Sequence, residues 1–198
     1  MAEFILPYRS GSVTLTSRFG WRTLFKGTPN EVQDYHKGVD LCGTDKTLVS
    51  PCDGVVKSST IIKDKSNTTW EWGNYIRIDR ADGLQIFMCH MAERKVKVGQ
   101  TVKAGDIVGI EGNTGYSFGS HCHFEVRKNG TSVDPTPYLG IANAAGTYPV
   151  KAKASLDEDL AVLADCGIIN TPGYWKANAH KIQYLDELIH NIAEYLKK

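Results

Sequence analysis

In Gly119-Ser120-His121-Cys122-His123-Phe124-Glu125-Val126-Arg127 the residues from Phe124 to Arg127 read as a β-strand and His121-Cys122-His123 as strand or strand end, and this stretch decides the rest. Side chains alternate across a strand, so His121 and His123 share a face while Cys122 points to the other. A second pair, His36 and Asp40, stands in an H-x-x-x-D pattern. Residues four apart share a face on a strand or a helix. Gly38 and Val39 lie between them, and Pro51 and several glycines follow, which disfavours a helix. Both pairs are therefore expected on strands or strand ends. Two adjacent strands would aim four ligand-type groups at one point. His90 lies between the pairs in sequence. Two histidines and one carboxylate around zinc, with a fourth position open to water, form a hydrolytic arrangement.

Taken singly, H-x-x-x-D and H-x-H are common patterns. Their joint occurrence carries weight because the chain has only 6 histidines and four of them fall in or beside the patterns. Most of the 19 glycines precede residue 140, scattered between short apolar runs. That is the signature of many short strands joined by turns. Asn74 to Asp79 and Leu84 to Met88 read as two strands around an Ala81-Asp82-Gly83 turn. Ile107 to Ile110 and Phe124 to Arg127 add more, and Asp134-Pro135-Thr136-Pro137 ends the sheet region. The expected fold class is mainly β: an antiparallel domain with a groove between loops, followed by a small C-terminal α-helical segment.

These blocks resemble the LytM/lysostaphin-type (M23) zinc metallopeptidases that cut bacterial peptidoglycan. The resemblance runs from about Ser17 to Leu139. It includes Ser17-Arg18-Phe19-Gly20-Trp21-Arg22, His36-Lys37-Gly38-Val39-Asp40-Leu41, and Val49 to Val56 with Pro51 and Asp53-Gly54. It continues through Gly73 to Ile78, His90-Met91, Val98 to Asp106, Gly112-Asn113-Thr114-Gly115 and Gly119 to Arg127. The resemblance implies that His36, Asp40 and His123 hold one zinc ion per chain. It implies that His121 and His90 are the auxiliary catalytic histidines. Changing His121 or His90 should then spare the metal and lower turnover. One departure is Met88-Cys89-His90, where the family more usually has an aromatic residue two before the histidine.

The substrate so implied is peptidoglycan peptide, cut by an endopeptidase, such as an endolysin or a virion-carried lysin. An alternative is an inactive M23-like wall-binding or phage structural protein, and relatives of that kind typically lack ligands. A zinc amidase uses similar ligands, but the flanking blocks match the endopeptidase pattern better. Trp70, Trp72 and Asn113 are candidate substrate contacts. The stretches Thr23 to Tyr35 and Lys57 to Trp72 are expected as long polar loops walling the groove.

Composition excludes several classes. A net charge of +1 gives no broad attraction to nucleic acid. No apolar stretch approaches the roughly 20 residues that span a bilayer. No signal peptide is visible before Ser17, so action on a wall that lies outside the membrane implies a removed leader, release by a phage lysis system or carriage in a virion. The 5 cysteines show no C-x-x-C spacing and read as small apolar side chains in a chain made in a reducing compartment.

The expected organisation is a peptidase domain over 1–142, a linker over 143–154 and a helical module over 155–198. Ser155 and Glu158 form a capping-box pair for a helix to about Cys166, with Leu156, Leu160 and Leu163 as its apolar stripe. Gly167 is the stop and Thr171-Pro172 the next start. Ile182, Leu185, Ile189, Ile192 and Leu196 follow helical spacing. Helices this short need a surface to pack on. The peptidase domain, a second copy of the chain or the cell wall are the expected options. His180 and His190 are expected on solvated helix faces.

Overall fold

Antiparallel pairing organises the first 150 residues. The computed structural model describes residues 4–62, 70–150, 156–169, 171–178 and 185–196. The chain divides into two units, Met1–Lys151 and Ala152–Lys198. In the first, the described strands are β1 (Ser12–Ser17), β2 (Gly20–Leu24), β3 (Val32–His36), β4 (Val39–Gly43), β5 (Thr47–Val49), β6 (Gly54–Ile61) and β7 (Asn74–Asp79). They continue with β8 (Leu84–Cys89), β9 (Glu93–Arg94), β10 (Thr101–Val102), β11 (Ile107–Ile110), β12 (Cys122–Lys128), β13 (Thr131–Val133) and β14 (Gly146–Pro149). A 3-10 turn covers Trp70–Trp72, and a short helix α1 covers Thr136–Leu139.

The main sheet runs β10-β6-β7-β8-β12-β4-β1-β14, with β13 also paired to β12. A three-stranded sheet, β5-β11-β9, and the β2–β3 hairpin complete the unit. The period-2 pattern explains the layering. Leu15, Leu41, Ile76, Ile78, Ile86, Met88, Phe124 and Val126 all point to one side and are fully buried. Leu48 of β5 and Val108 of β11 join the same core. Each such burial contributes roughly 1.5–3 kcal/mol relative to exposure. The opposite face of the central strands carries Asp40 and His123, with the buried Cys89 and Phe87 beside them. The β7–β8 turn is set by Asp82, whose carboxylate accepts the Leu84 N–H at 3.3 Å.

Three sequence expectations need correction. The stretch from Thr23 to Tyr35 is not all loop: β2 and β3 pair from Gly20↔His36 to Leu24↔Val32, and only Phe25 to Glu31 connects them without strand. Cross-strand pairs hold this hairpin, with Arg22 on Asp34 at 2.7 Å and Gln33 on Thr23 at 2.9 Å. Both its faces carry polar residues, so it lacks the alternation that marks a half-buried strand. In the second expected loop, strand β6 extends to Ile61. The presumed linker from 143 contains β14, which pairs with β1 while Tyr148 and Val150 pack on the core.

The second unit contains α2 (Leu156–Asp165), α3 (Pro172–Asn178) and α4 (Leu185–Leu196). Leu160, Leu163 and Ile189 form a small core with Ile169, Trp175, Ile192 and Leu196 against it. Gly167 ends α2 at φ 71°, a left-handed conformation that closes a helix at little cost to glycine. Ser155, His180 and Ile182 lie outside the described residues. Among the five cysteines, all free, Cys52, Cys89 and Cys122 are buried, Cys42 is partly buried and Cys166 is exposed.

Candidate metal centre

Strand pairing creates the site. Asp40 of β4 and His123 of β12 are direct cross-strand partners. Opposed residues on one face of an antiparallel pair bring their side chains within contact. His36 is the last residue of β3, and the chain turns through Lys37 and Gly38 into β4. The H-x-x-x-D spacing therefore spans a turn between two strands rather than one face of a single strand.

Three ligand-type atoms converge. His36 Nε2 lies 2.9 Å from His123 Nδ1 and 3.2 Å from Asp40 Oδ1, and His123 Nδ1 lies 3.1 Å from Asp40 Oδ1. Ligand atoms held tetrahedrally at about 2.0–2.1 Å from zinc stand about 3.3 Å apart. The triangle thus fits a zinc ion, and two imidazoles with one carboxylate are a donor set suited to it. Surrounding bonds aim these atoms. His36 Nδ1 donates to the Arg18 carbonyl at 2.9 Å, which leaves Nε2 with its lone pair toward the centre. Arg22 Nη1 takes the other Asp40 oxygen, Oδ2, at 3.3 Å. Burial opposes ionisation of Asp40, but the imidazoles of His121, His123 and His36 around it outweigh that and hold its carboxyl well below the usual carboxylate range.

His121 and His90 stand beside the triangle. Their ring centroids are 4.7 Å apart, and His90 is 6.0 Å from His123. His121 Nδ1 donates to the Gly119 carbonyl at 2.9 Å, so Nε2 is its bare nitrogen, 3.5 Å from Asp40 Oδ1. Burial lowers the His121 pKa, but the Asp40 carboxylate more than offsets that, and the imidazole is pushed up. His90 follows β8 at φ 61°, a left-handed conformation that costs a non-glycine residue energy. Its N–H donates to the Trp72 carbonyl at 2.8 Å, and its Nδ1 donates to the Thr114 carbonyl at 2.8 Å. Burial first, then the His121 charge, pushes its pKa down to about 4. His90 is thus a neutral imidazole near pH 7.

Several contributors escaped the sequence reading. Arg22 sits in the quoted opening block, but its reach to Asp40 needs the hairpin. Glu111, 3 % exposed, accepts Lys46 Nζ, Ser120 Oγ and Tyr8 Oη, each at 2.6 Å, and the Gly43 N–H at 2.9 Å. It ties the end of β4 to the residue preceding His121. Its only sequence signal was a carboxylate amid apolar residues. An aromatic run also flanks the centre: Phe25 on Phe118 at 6.0 Å, Phe118 on Tyr116 at 5.1 Å, and Tyr116 on Trp70 at 5.8 Å. Of the expected substrate contacts, Trp70 belongs to this run and Asn113 is exposed. Trp72 instead packs on Tyr75 and Phe87.

Gly38 gives the centre its closest approach. A Cβ there would stand 2.4 Å from the Phe124 carbonyl oxygen and 2.9 Å from His123 Cε1. Gly38→Ala is expected to displace the His123 ring and weaken zinc binding by about 10–100-fold, the range found when the support of a ligand is lost. Competition with a chromophoric chelator measures this, and unchanged affinity would contradict the geometry.

Comparison with known proteins agrees with the architecture. The chain is 35% identical over 122 residues to an uncharacterized metalloprotease of Haemophilus influenzae, covering 61% of this chain and 24% of that protein. It is 39% identical over 121 residues to lysostaphin of Staphylococcus simulans, covering 57% of this chain and 23% of lysostaphin. The chain thus spans about a quarter of the length of these curated relatives. The catalytic domain of lysostaphin superposes with a TM-score of 0.51 at 26% identity, covering 66% of this chain and 92% of that domain. The catalytic domain of the prophage-encoded M23 protein EnpA of Enterococcus faecalis, crystallised as a mutant, gives 0.53 at 30% identity, covering 66% and 95%. The model of peptidase family M23 matches residues 34–135, more than half of the chain, and spans every member of the cluster: the chain belongs to peptidase family M23.

Proposed function

We propose that this protein is a zinc-dependent endopeptidase that hydrolyses peptide bonds of bacterial peptidoglycan in the cell wall, outside the membrane, as a lytic enzyme of the endolysin type. The convergence of His36, Asp40 and His123 with edges of 2.9–3.2 Å carries this reading. Zinc held there would supply Lewis acidity to an amide carbonyl and acidify water. His121 and His90 are the catalytic histidines of the proposal. With Nδ1–H committed to Gly119, His121 can accept a proton only at Nε2, from the attacking water, and return it to the leaving amine. His90, neutral and tied through Nδ1 to Thr114, offers Nε2 as a second acceptor. Glu111 holds the segment bearing His121, so that acceptor keeps its place. The aromatic run with Trp70, together with Asn113, supplies contacts for the substrate. The complete set of five site residues argues against the alternative of an inactive wall-binding or phage structural relative.

Digestion of purified walls from several bacteria, with mass spectrometry of the products, tests the proposal. New amino termini are expected without chelator, none with it, and recovery on adding zinc. Walls left intact, or cleavage indifferent to chelator, would refute it.

A further inference from the structure

Beyond His123, the polar face of β12 carries Glu125 and Arg127, which the chemistry above does not use. Glu125 is 1 % exposed. Its carboxylate accepts both Nε and Nη2 of Arg127, at 2.9 and 3.1 Å, and also the Ser132 hydroxyl. A buried carboxylate gripped by a guanidinium fork has a fixed orientation, and so does the fork. The Arg127 guanidinium also covers two rings, 4.6 Å from the centroid of Phe87 and 5.4 Å from that of Trp72. Trp72 is pressed against Phe87 at 5.2 Å and Tyr75 at 5.0 Å. The carbonyl of Trp72 then accepts the N–H of His90 at 2.8 Å. Left-handed backbone at a residue with a β-carbon persists only where its surroundings over-determine it. Here the Trp72 carbonyl and Thr114 provide that restraint.

We propose that Arg127 is a positioning residue for His90: clamped between the Glu125 carboxylate and the Phe87 and Trp72 rings, it fixes the 3-10 turn whose carbonyl holds the His90 backbone. The proposal rests on the reading that His90 acts at the zinc centre. Lysine keeps the charge beside Glu125 but has neither the fork nor the planar face. Methionine keeps the length and loses the charge.

The test measures kcat, KM and zinc content on a soluble crosslinked muropeptide. Wild type, Arg127→Lys, Arg127→Met, His90→Ala and the two doubles are compared. Arg127→Lys and Arg127→Met are each expected to lower kcat about ten- to a hundredfold, as a small misplacement of a reacting group does, with KM and zinc content held within about twofold. In the His90→Ala background neither change should lower kcat further, because the group they position is gone. Losses that multiply with His90→Ala, or Arg127 variants with wild-type kcat, would overturn the proposal. If Arg127→Met does not fold, Arg127→Lys carries the same comparison. Failure of the underlying reading shows elsewhere: inactive wild type, or His90→Ala at full rate.

Discussion

His123→Ala is expected to leave a folded protein that takes up no stoichiometric zinc and cleaves cell walls at less than about a thousandth of the wild-type rate. The reason lies in the triangle. Removing Nδ1 of His123 leaves His36 Nε2 and Asp40 Oδ1, 3.2 Å apart, as two of the three converging atoms. Two ligands do not close a tetrahedral zinc site with one open corner. The core side of β12 is untouched, since Cys122, Phe124 and Val126 supply its burial. Elemental analysis and a thermal melt separate the two effects. Stoichiometric zinc in the purified variant would remove His123 from the centre, and a lost melting transition would assign it a structural role instead.

His121→Ala should behave differently. Zinc is expected to stay, because the three converging atoms do not include His121. Turnover is expected to fall about 10²–10⁴-fold, the usual contribution of a positioned general acid or base. KM should change little, since the lost atom moves a proton rather than holding the substrate. The ring is fixed for that task. Gly119 takes Nδ1–H, and the His121 N–H donates to the Gly112 carbonyl at 3.0 Å, so Nε2 has one direction to face. A variant with normal kcat would show that proton transfer runs elsewhere. A variant without zinc would make His121 a ligand.

Much of the site was legible in the chain because two local patterns have local causes. Alternation put His121, the residue before β12, on the same side as His123 and left Cys122 in the core, whatever the remainder did. The β7–β8 hairpin could be read for the same reason, from an apolar period of two around Asp82-Gly83. The β2–β3 hairpin could not, because its stability comes from Arg22–Asp34 and Gln33–Thr23 across strands, and such pairs leave no periodicity along the chain. Strand β14 was missed similarly, since four residues pairing at a sheet edge carry too little pattern of their own. Glu111 shows the same limit. An acidic residue in an apolar run says nothing of the four donors that approach it from Tyr8, Gly43, Lys46 and Ser120.

By itself, the sequence determined which residues are chemically able to hold a metal, that they sit on strands, and that the chain is mainly antiparallel β with helices at its end. These follow from side-chain chemistry and the period of the backbone, which act over a few residues. Tertiary structure alone decided that Asp40 faces His123, that Arg22 takes the far oxygen of Asp40, and that Arg127 stands behind Trp72 and His90. Those contacts join residues 18 to 83 positions apart, or cross three strands, and only sheet register brings them together.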